Sequence, residues 1–196
     1  MNVTVFGAGG RTGRGVVAEA LARGHQVTAV VRRPPDPPLG PGVGTVTGDA
    51  RDAEAVARAL EGAEAVLSVM GPVGNDPGTA YSDAVAVLVA AMESTGPSRL
   101  VITANARVFD DRPLSGPFAG VSEEHRRALV TLRASGLEWT VVATPMLTDE
   151  ETGDSYTLTV DGKGEGREID RRNFARAVVD ALGHAAWIGR AVDVTD

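Results

Sequence analysis

Val3-Thr4-Val5-Phe6-Gly7-Ala8-Gly9-Gly10-Arg11-Thr12-Gly13 is the stretch that decides the fold. Val3–Phe6 is a compact apolar run of the kind that forms a short buried strand. The glycines permit a tight turn, and Val16–Arg23, rich in alanine and leucine, reads as the helix that follows. Strand, glycine-rich turn and helix in immediate succession aim backbone N–H groups at an anion. In such a turn Gly7 makes the reversal, Gly10 admits a pyrophosphate closely, and Gly13 lets the helix pack on the strand. The spacing is not Gly-x-Gly-x-x-Gly, whose third position is occupied by Thr12. A glycine-rich turn with no ligand is the plain alternative.

Outward from this turn, short β-rich runs alternate with helical stretches. Gln26–Val31, Thr45–Thr47, Ala65–Met70, Arg99–Thr103, Trp139–Ala143 and Ala191–Val194 read as strands. Asp52–Leu60 and Tyr81–Ser94 read as helices between them, and residues 34–44, with five prolines and three glycines, as a loop. Ser122 is the expected N-cap of a helix to about Arg133, with Gly136 ending it. Tyr156–Val160 and Arg167–Ile169 are expected to pair around an Asp161-Gly162 turn, and Asp170 to cap a helix through Leu182. The pattern predicts an α/β, Rossmann-like, doubly wound and mainly parallel sheet in one domain over residues 1–196. A small C-terminal cap with a β-hairpin, from about residue 145, would fold over the strands' carboxyl ends.

Composition narrows the function classes. With 196 residues, the chain is long enough for a core without staples. A net charge of −7 argues against nucleic acid as a partner. The absence of cysteine excludes disulfides, thiolate metal sites and a cysteine nucleophile. The longest apolar run, Ala84–Met92, has nine residues, against about 18 needed to span a bilayer. No membrane and a cytoplasmic location are therefore expected. The acidic runs Asp110-Asp111 and Asp149-Glu150-Glu151 read as solvated loops, so no metal is expected.

At the end of the second strand, where an NAD-specific site places an acidic residue for the ribose hydroxyls, stand Arg32 and Arg33. Paired guanidiniums suit a 2′-phosphate and predict NADPH (NADP) as the cofactor. Two solvated arginines are the alternative. Gly48-Asp49-Ala50 and Met70-Gly71 fall on the same rim, where Asp49 could accept from the adenine amino group or be an ordinary turn aspartate.

The chain resembles the NmrA-like group of atypical short-chain dehydrogenases/reductases, and within it the biliverdin reductase B or flavin reductase type. The resemblance rests on Gly7–Gly13, His25-Gln26-Val27-Thr28 with Val31-Arg32, Gly48-Asp49 and Ser135–Trp139. It also rests on Tyr156–Gly162 and Glu168-Ile169-Asp170. It implies extended NADPH and hydride transfer to flat conjugated acceptors such as flavins and linear tetrapyrroles. By position it assigns the phosphates to Gly7, Gly9, Gly10, Arg11, Thr12 and Gly13, and the 2′-phosphate to Arg32. It assigns the adenine to Asp49 and Ala50, and the ribose side to Met70 and Gly71. Ala104, Asn105, Pro145 and Met146 would frame the nicotinamide.

The departures carry information too. Asn105 stands for the group's usual serine and Met146 for its histidine. The Tyr-x-x-x-Lys pair is missing, its approximate place holding His125 and Leu129. Without a positioned acid an isolated ketone is disfavoured, whereas a flavin or quinone can accept hydride as a delocalised anion. Asn105 could donate a hydrogen bond to the acceptor or to the carboxamide, and Met146 offers an adaptable apolar surface. His125 could face the pocket and titrate near neutrality, or lie on an exposed mixed-charge face, Glu123–Arg127. Gly162–Gly166 reads as a flexible tip or a lid. The expected protein is an NADPH-dependent reductase of a small planar acceptor, as a monomer or weak homodimer. An NADP(H)-sensing regulator without turnover and a dedicated biosynthetic reductase are the alternatives.

Overall fold

The computed structural model describes every residue except 73, 75–77 and 111–113. β1 (Asn2–Phe6) leads through the glycine turn into α1 (Arg11–Ala22), β2 (Gln26–Val31), β3 (Gly44–Thr47), α2 (Ala53–Leu60) and β4 (Ala65–Ser68). Then come α3 (Ala80–Thr95), β5 (Arg99–Asn105), α4 (Ala119–Ala134), β6 (Glu138–Thr144) and β7 (Leu147–Thr148). The chain ends with β8 (Thr157–Val160), β9 (Ile169–Asp170), α5 (Arg171–Gly183) and β10 (Arg190–Thr195).

Among the described residues the main sheet runs β3-β2-β1-β4-β5-β6-β10-β8, parallel except where β8 opposes β10. This is the α/β Rossmann-like architecture the alternation predicts. Strand order reverses between β1 and β4, and the crevice beyond their carboxyl ends is where such sheets take ligands. The central strands are apolar on both faces because helices cover both. Val3 and Val5 face the α1 and α5 side with Val16, Val17, Phe174 and Val178. Phe6, Val66, Leu100 and Val141 face α2, α3 and α4.

α5 is fixed at both ends. Asp170 caps it, accepting from Arg172 N at 2.6 Å. At the other end the buried Arg99 guanidinium donates to the Ala181 and Leu182 carbonyls, to Glu138 O at 2.6 Å and to Thr140 Oγ1 at 2.9 Å. A cation there suits the negative end of the helix dipole.

Several expectations are corrected. The fourth strand stops at Ser68, and α4 starts at Ala119, so Ser122 is not its N-cap. Ser122 lies inside the helix, buried, with Oγ donating to Phe118 O at 2.9 Å. The expected hairpin also fails. Asp161 takes the left-handed conformation of a turn (φ 54°), but β8 pairs with β10. Ile169, fully buried against the α1/α5 core, instead pairs in parallel with Leu147. Gly162–Gly166 is not a free tip. Gly164 N donates to Asp193 Oδ2 at 2.8 Å, Lys163 reaches Asp110, and a Cβ on Gly166 would lie 2.4 Å from Thr195 Cβ. Asp110 also faces Arg107 at 3.7 Å, so it is not simply solvated; Asp111 lies outside the described residues.

Candidate functional site

The glycines of the first turn divide by cause. Gly7 has φ +77° and a Cβ on it would sit 2.8 Å from the Val69 carbonyl carbon. A Cβ on Gly13 would come within 2.1 Å of Gly7 O. Both are demanded by packing of the turn on β4 and on itself. Gly9 and Gly10 are not, since their nearest neighbours, Val31 Cγ1 at 3.7 Å and Gly7 O at 3.4 Å, make ordinary contacts. Both are exposed, and side chains there would occupy the space in front of α1. Gly10 is the N-cap of α1 and has no side chain to satisfy the first-turn N–H groups, nor does that turn hold an acidic residue. Unclaimed N–H donors behind a surface cleared of side chains fit a pyrophosphate.

The other expected positions fall on the same rim. Arg32 and Arg33 are exposed at the end of β2. Asp49 follows β3 and is gripped by Arg51, with Oδ2 accepting from Nη2 at 2.8 Å and Oδ1 from Nε at 3.0 Å and from the backbone N at 2.9 Å. Those bonds, with Arg32 adding to the field, hold its carboxyl down at about 2. It is therefore an anion whose two oxygens are already engaged, beside Ala50. Met70 and Gly71 follow β4. A Cβ on Gly71 would meet nothing within 4 Å. Ala104 and Asn105 end β5 in register with Ala143 and Thr144 of β6, so Pro145 and the 56% exposed Met146 stand beside them.

Beneath Asn105 lies a polar cluster. Asn105 Nδ2 donates to Ser122 Oγ at 3.1 Å, while its Oδ1 is buried without a partner. The donor expected of Asn105 is thus engaged with Ser122, and its unsatisfied atom is an acceptor. His125 is 8% exposed, with Nδ1 3.5 Å from Asn105 N and its ring edge-on to Tyr81 at 5.0 Å. Burial pushes its pKa down to about 4. It is neither an exposed residue nor a group that titrates near neutrality.

Glu124, expected on the same exposed face, is fully buried. It caps α3 from outside, Oε2 accepting from Tyr81 N at 2.9 Å and Ser82 N at 3.1 Å, while Oε1 accepts from Ser82 Oγ at 2.8 Å and Arg127 Nε at 2.9 Å. Burial opposes its charge, but these bonds hold its carboxyl below the usual range. Burial likewise pushes the Tyr81 phenol up, and its hydroxyl donates to Thr103 O at 3.2 Å.

Two features escaped the sequence. A cleft of about 280 Å³ opens beside β5 and β6, lined by Ala106, Arg107, Pro145, Lys163, Arg167 and Asp193 among others. Asp193 is 1% exposed with Oδ1 unpartnered, and burial pushes its carboxyl up, against the Gly164 hydrogen bond and Lys163. An acid inside the otherwise apolar run Ala191–Val194 was its only signal. The second feature is Arg171, which reaches the glycine turn from α5. Its signal was two arginines at the positive end of a helix, where the dipole disfavours them. Asp149 lies in an exposed loop, as expected, and is in addition paired with both Arg171 and Arg11. Among the described residues no group of three or more His, Asp or Glu could hold a metal ion. No helix there is long and apolar enough to cross a membrane.

Comparison with known proteins gives this geometry a context. Residues 7–185 match the family described as NAD(P)H-binding. An uncharacterised protein of Mycobacterium tuberculosis is 34% identical over 105 residues, which is 54% of this chain and 12% of that protein. Among solved structures, a protein described as exported, from Burkholderia pseudomallei, superimposes with TM-score 0.85 at 25% identity, covering 100% of both chains. A Streptococcus pneumoniae protein described as an NADH-flavin reductase gives TM-score 0.86 at 22% identity, covering 100% of this chain and 99% of that one. A short-chain dehydrogenase/reductase from Veillonella parvula, solved with NADP, gives 0.80 at 18%, covering 100% and 94%.

Proposed function

The chain belongs to the NAD(P)H-binding family, and from that premise we propose that it is an NADPH-dependent reductase of a small planar conjugated acceptor, a flavin, linear tetrapyrrole or quinone. One observation carries the acceptor class. At the positions where the resemblance would place acids stand Asn105 and Met146, after β5 and β6, and a buried neutral His125 on α4, none of which releases a proton at neutral pH. Bound NADPH would supply a hydride. The residues around it would then orient the two rings and leave the proton to water, which suits an acceptor whose reduced form is a delocalised anion.

Asn105 has its role through Oδ1, which would accept from the nicotinamide carboxamide and so fix the ring's face. Met146 gives an apolar, adaptable platform for the acceptor. The preference for NADPH is supported by Arg32 and Arg33, which make no ion pair among the described residues. The unit is proposed to act as a monomer or weak homodimer, because its site is assembled within one chain.

NADPH oxidation followed optically with FMN, riboflavin, biliverdin and a quinone panel, against a simple ketone, tests this reading. Turnover with a conjugated acceptor and none with the ketone is expected. Arg32→Glu should weaken NADPH binding about tenfold or more and leave NADH binding little changed. Tight nucleotide binding with flat traces across the panel would replace this reading with that of an NADP(H)-sensing regulator.

A further inference from the structure

Arg171 opens α5 and lies against the glycine turn. Its Nη1 donates to Thr12 Oγ1 at 2.8 Å and its Nε to Asp149 Oδ1 at 2.6 Å. The other oxygen of Asp149 accepts from Arg11 Nη1 at 3.3 Å. A carboxylate therefore stands between two guanidiniums, beside the uncapped first turn of α1.

The pairing is set by the backbone. Thr148 of β7 lies opposite Asp170 of β9, so the next residues, Asp149 and Arg171, leave the two-stranded piece side by side. Their exposures differ sharply. The Arg171 side chain is 16% exposed, that of Asp149 64% and that of Arg11 79%. The Arg171 guanidinium is part of the wall, while the carboxylate approaches it from the solvent side.

Two helix N-termini, of α1 and α5, meet here with Arg11 and Arg171 in their first turns. Cations at the positive ends of helix dipoles are unfavourable unless an anion accompanies them. At α5 the side chain of Asp170 already caps the helix, and Asp149 adds one negative charge and two oxygens facing both arginines. A nucleotide pyrophosphate supplies more charge and more acceptors, and a guanidinium binds it through paired N–H donors.

We propose that Arg171 is a ligand of the nucleotide's phosphates and that Asp149 is a built-in competitor, holding Arg171 and Arg11 until the nucleotide displaces it. The inference rests on reading the glycine turn as the phosphate site. It predicts that a residue touching the binding groups lowers affinity. Had Asp149 instead the task of positioning Arg171 for the phosphates, its loss would weaken binding. The sign of the effect separates the two.

The test is calorimetric titration of NADP⁺, with adenosine as the phosphate-free control, into wild type, Asp149→Asn, Arg171→Gln, Arg171→Lys and the double variant Asp149→Asn/Arg171→Gln. Asp149→Asn should tighten NADP⁺ about three- to tenfold and leave adenosine unchanged. Arg171→Gln should weaken NADP⁺ about tenfold or more, with Arg171→Lys between it and wild type. In the Arg171→Gln background the gain from Asp149→Asn should shrink, since the two act through one contact. Weaker or unchanged binding by Asp149→Asn overturns the competitor. Wild-type affinity in Arg171→Gln overturns the ligand. If Arg171→Gln melts early, Asp149→Asn and Arg171→Lys still decide. Wild type that binds no nicotinamide nucleotide at all would sink the phosphate-site reading itself, a result distinct from a wrong sign in Asp149→Asn.

Discussion

Acidification from pH 7.5 to 5 should destabilise the fold by about 2 kcal/mol through His125 alone. The ring is 8% exposed, packed edge-on against Tyr81, and burial lowers its pKa from the ordinary 6.5 to about 4. Above about pH 6.5 both folded and unfolded chains hold a neutral imidazole, and the group is indifferent to folding. Below that, the unfolded chain takes up a proton while the folded one does not until about pH 4. Stability is thus present above the unfolded value and is lost as pH falls through the folded one. The full difference is equivalent to about 3 kcal/mol, of which about 2 kcal/mol is lost by pH 5. Urea unfolding of wild type and His125→Gln at pH 7.5, 6.5, 5.5 and 5.0 (chosen to bracket the transition) isolates this term, because other carboxylates and histidines titrate in both proteins. At pH 7.5 the variant should be less stable by about 1–2 kcal/mol, for lost packing and a disturbed hydrogen bond to Asn105. That gap should close as pH falls. Parallel stability profiles, or an NMR titration of the His125 ring near pH 6.5, would refute the reasoning and restore His125 as a proton donor.

The glycines of the first turn should separate by assay. Gly13→Ala should cost about 2–4 kcal/mol in stability, whereas Gly9→Ala should leave the melting temperature unchanged and weaken NADP⁺ binding, measured by calorimetry. Glu124→Ala should destabilise by about 3 kcal/mol and raise hydrogen exchange first in the opening turn of α3; unchanged exchange there would dismiss the cap. Asp193→Asn should gain stability relative to wild type at pH 8 and lose that gain by pH 4. The folded carboxyl is pushed up, so wild-type stability falls as pH rises through it. With a conjugated acceptor, kcat should be flat between pH 6 and 8, and a bell-shaped profile there would mean that a protein acid takes part.

The sheet and the packing of the first glycine turn were legible because each depends on local sequence. A strand must be apolar on both faces to lie in a covered parallel sheet, and Gly7 and Gly13 are demanded by contacts within a few residues or with the adjacent strand. The α4 face was not legible. Glu123-Glu124-His125-Arg126-Arg127 has the composition of a solvated face, but the N-terminus of α3 has no capping side chain of its own. Thr79 Oγ1 donates to Asp83 instead, at 2.8 Å. The carboxylate that fills the gap comes from Glu124, 42 and 43 positions beyond the amides it receives. Pulling Glu124 inward turns the next residue, His125, into the packing beneath Asn105. The late hairpin failed for a related reason. An Asp-Gly turn fixes only a local bend, and the partner of β8 was decided by the apolar β10 and by burial of Ile169.

The α4 misreading bears on the Asn105 end of the site, and the hairpin misreading, through β7 and β9, on the glycine-turn end. His125, which could have titrated near neutrality, and its neighbour Glu124 are spent on holding α3, α4 and β5 together, and burial keeps the His125 ring neutral. Beside β5 and β6 the unsatisfied Asn105 oxygen and the Met146 thioether adjoin the cleft lined by Arg107, Lys163, Arg167 and Asp193. At the opposite end, around Gly9, Gly10, Arg11 and Arg171, donors and cations outnumber the one carboxylate that meets them. Unpaired donors and cations are thus gathered around the glycine turn, whereas the charged side chains beside β5 and β6 are largely met by Asp110 and Asp193. Such a distribution fits a protein that binds its coenzyme through phosphate, with Asn105, Met146 and the neutral His125 contributing geometry rather than acid.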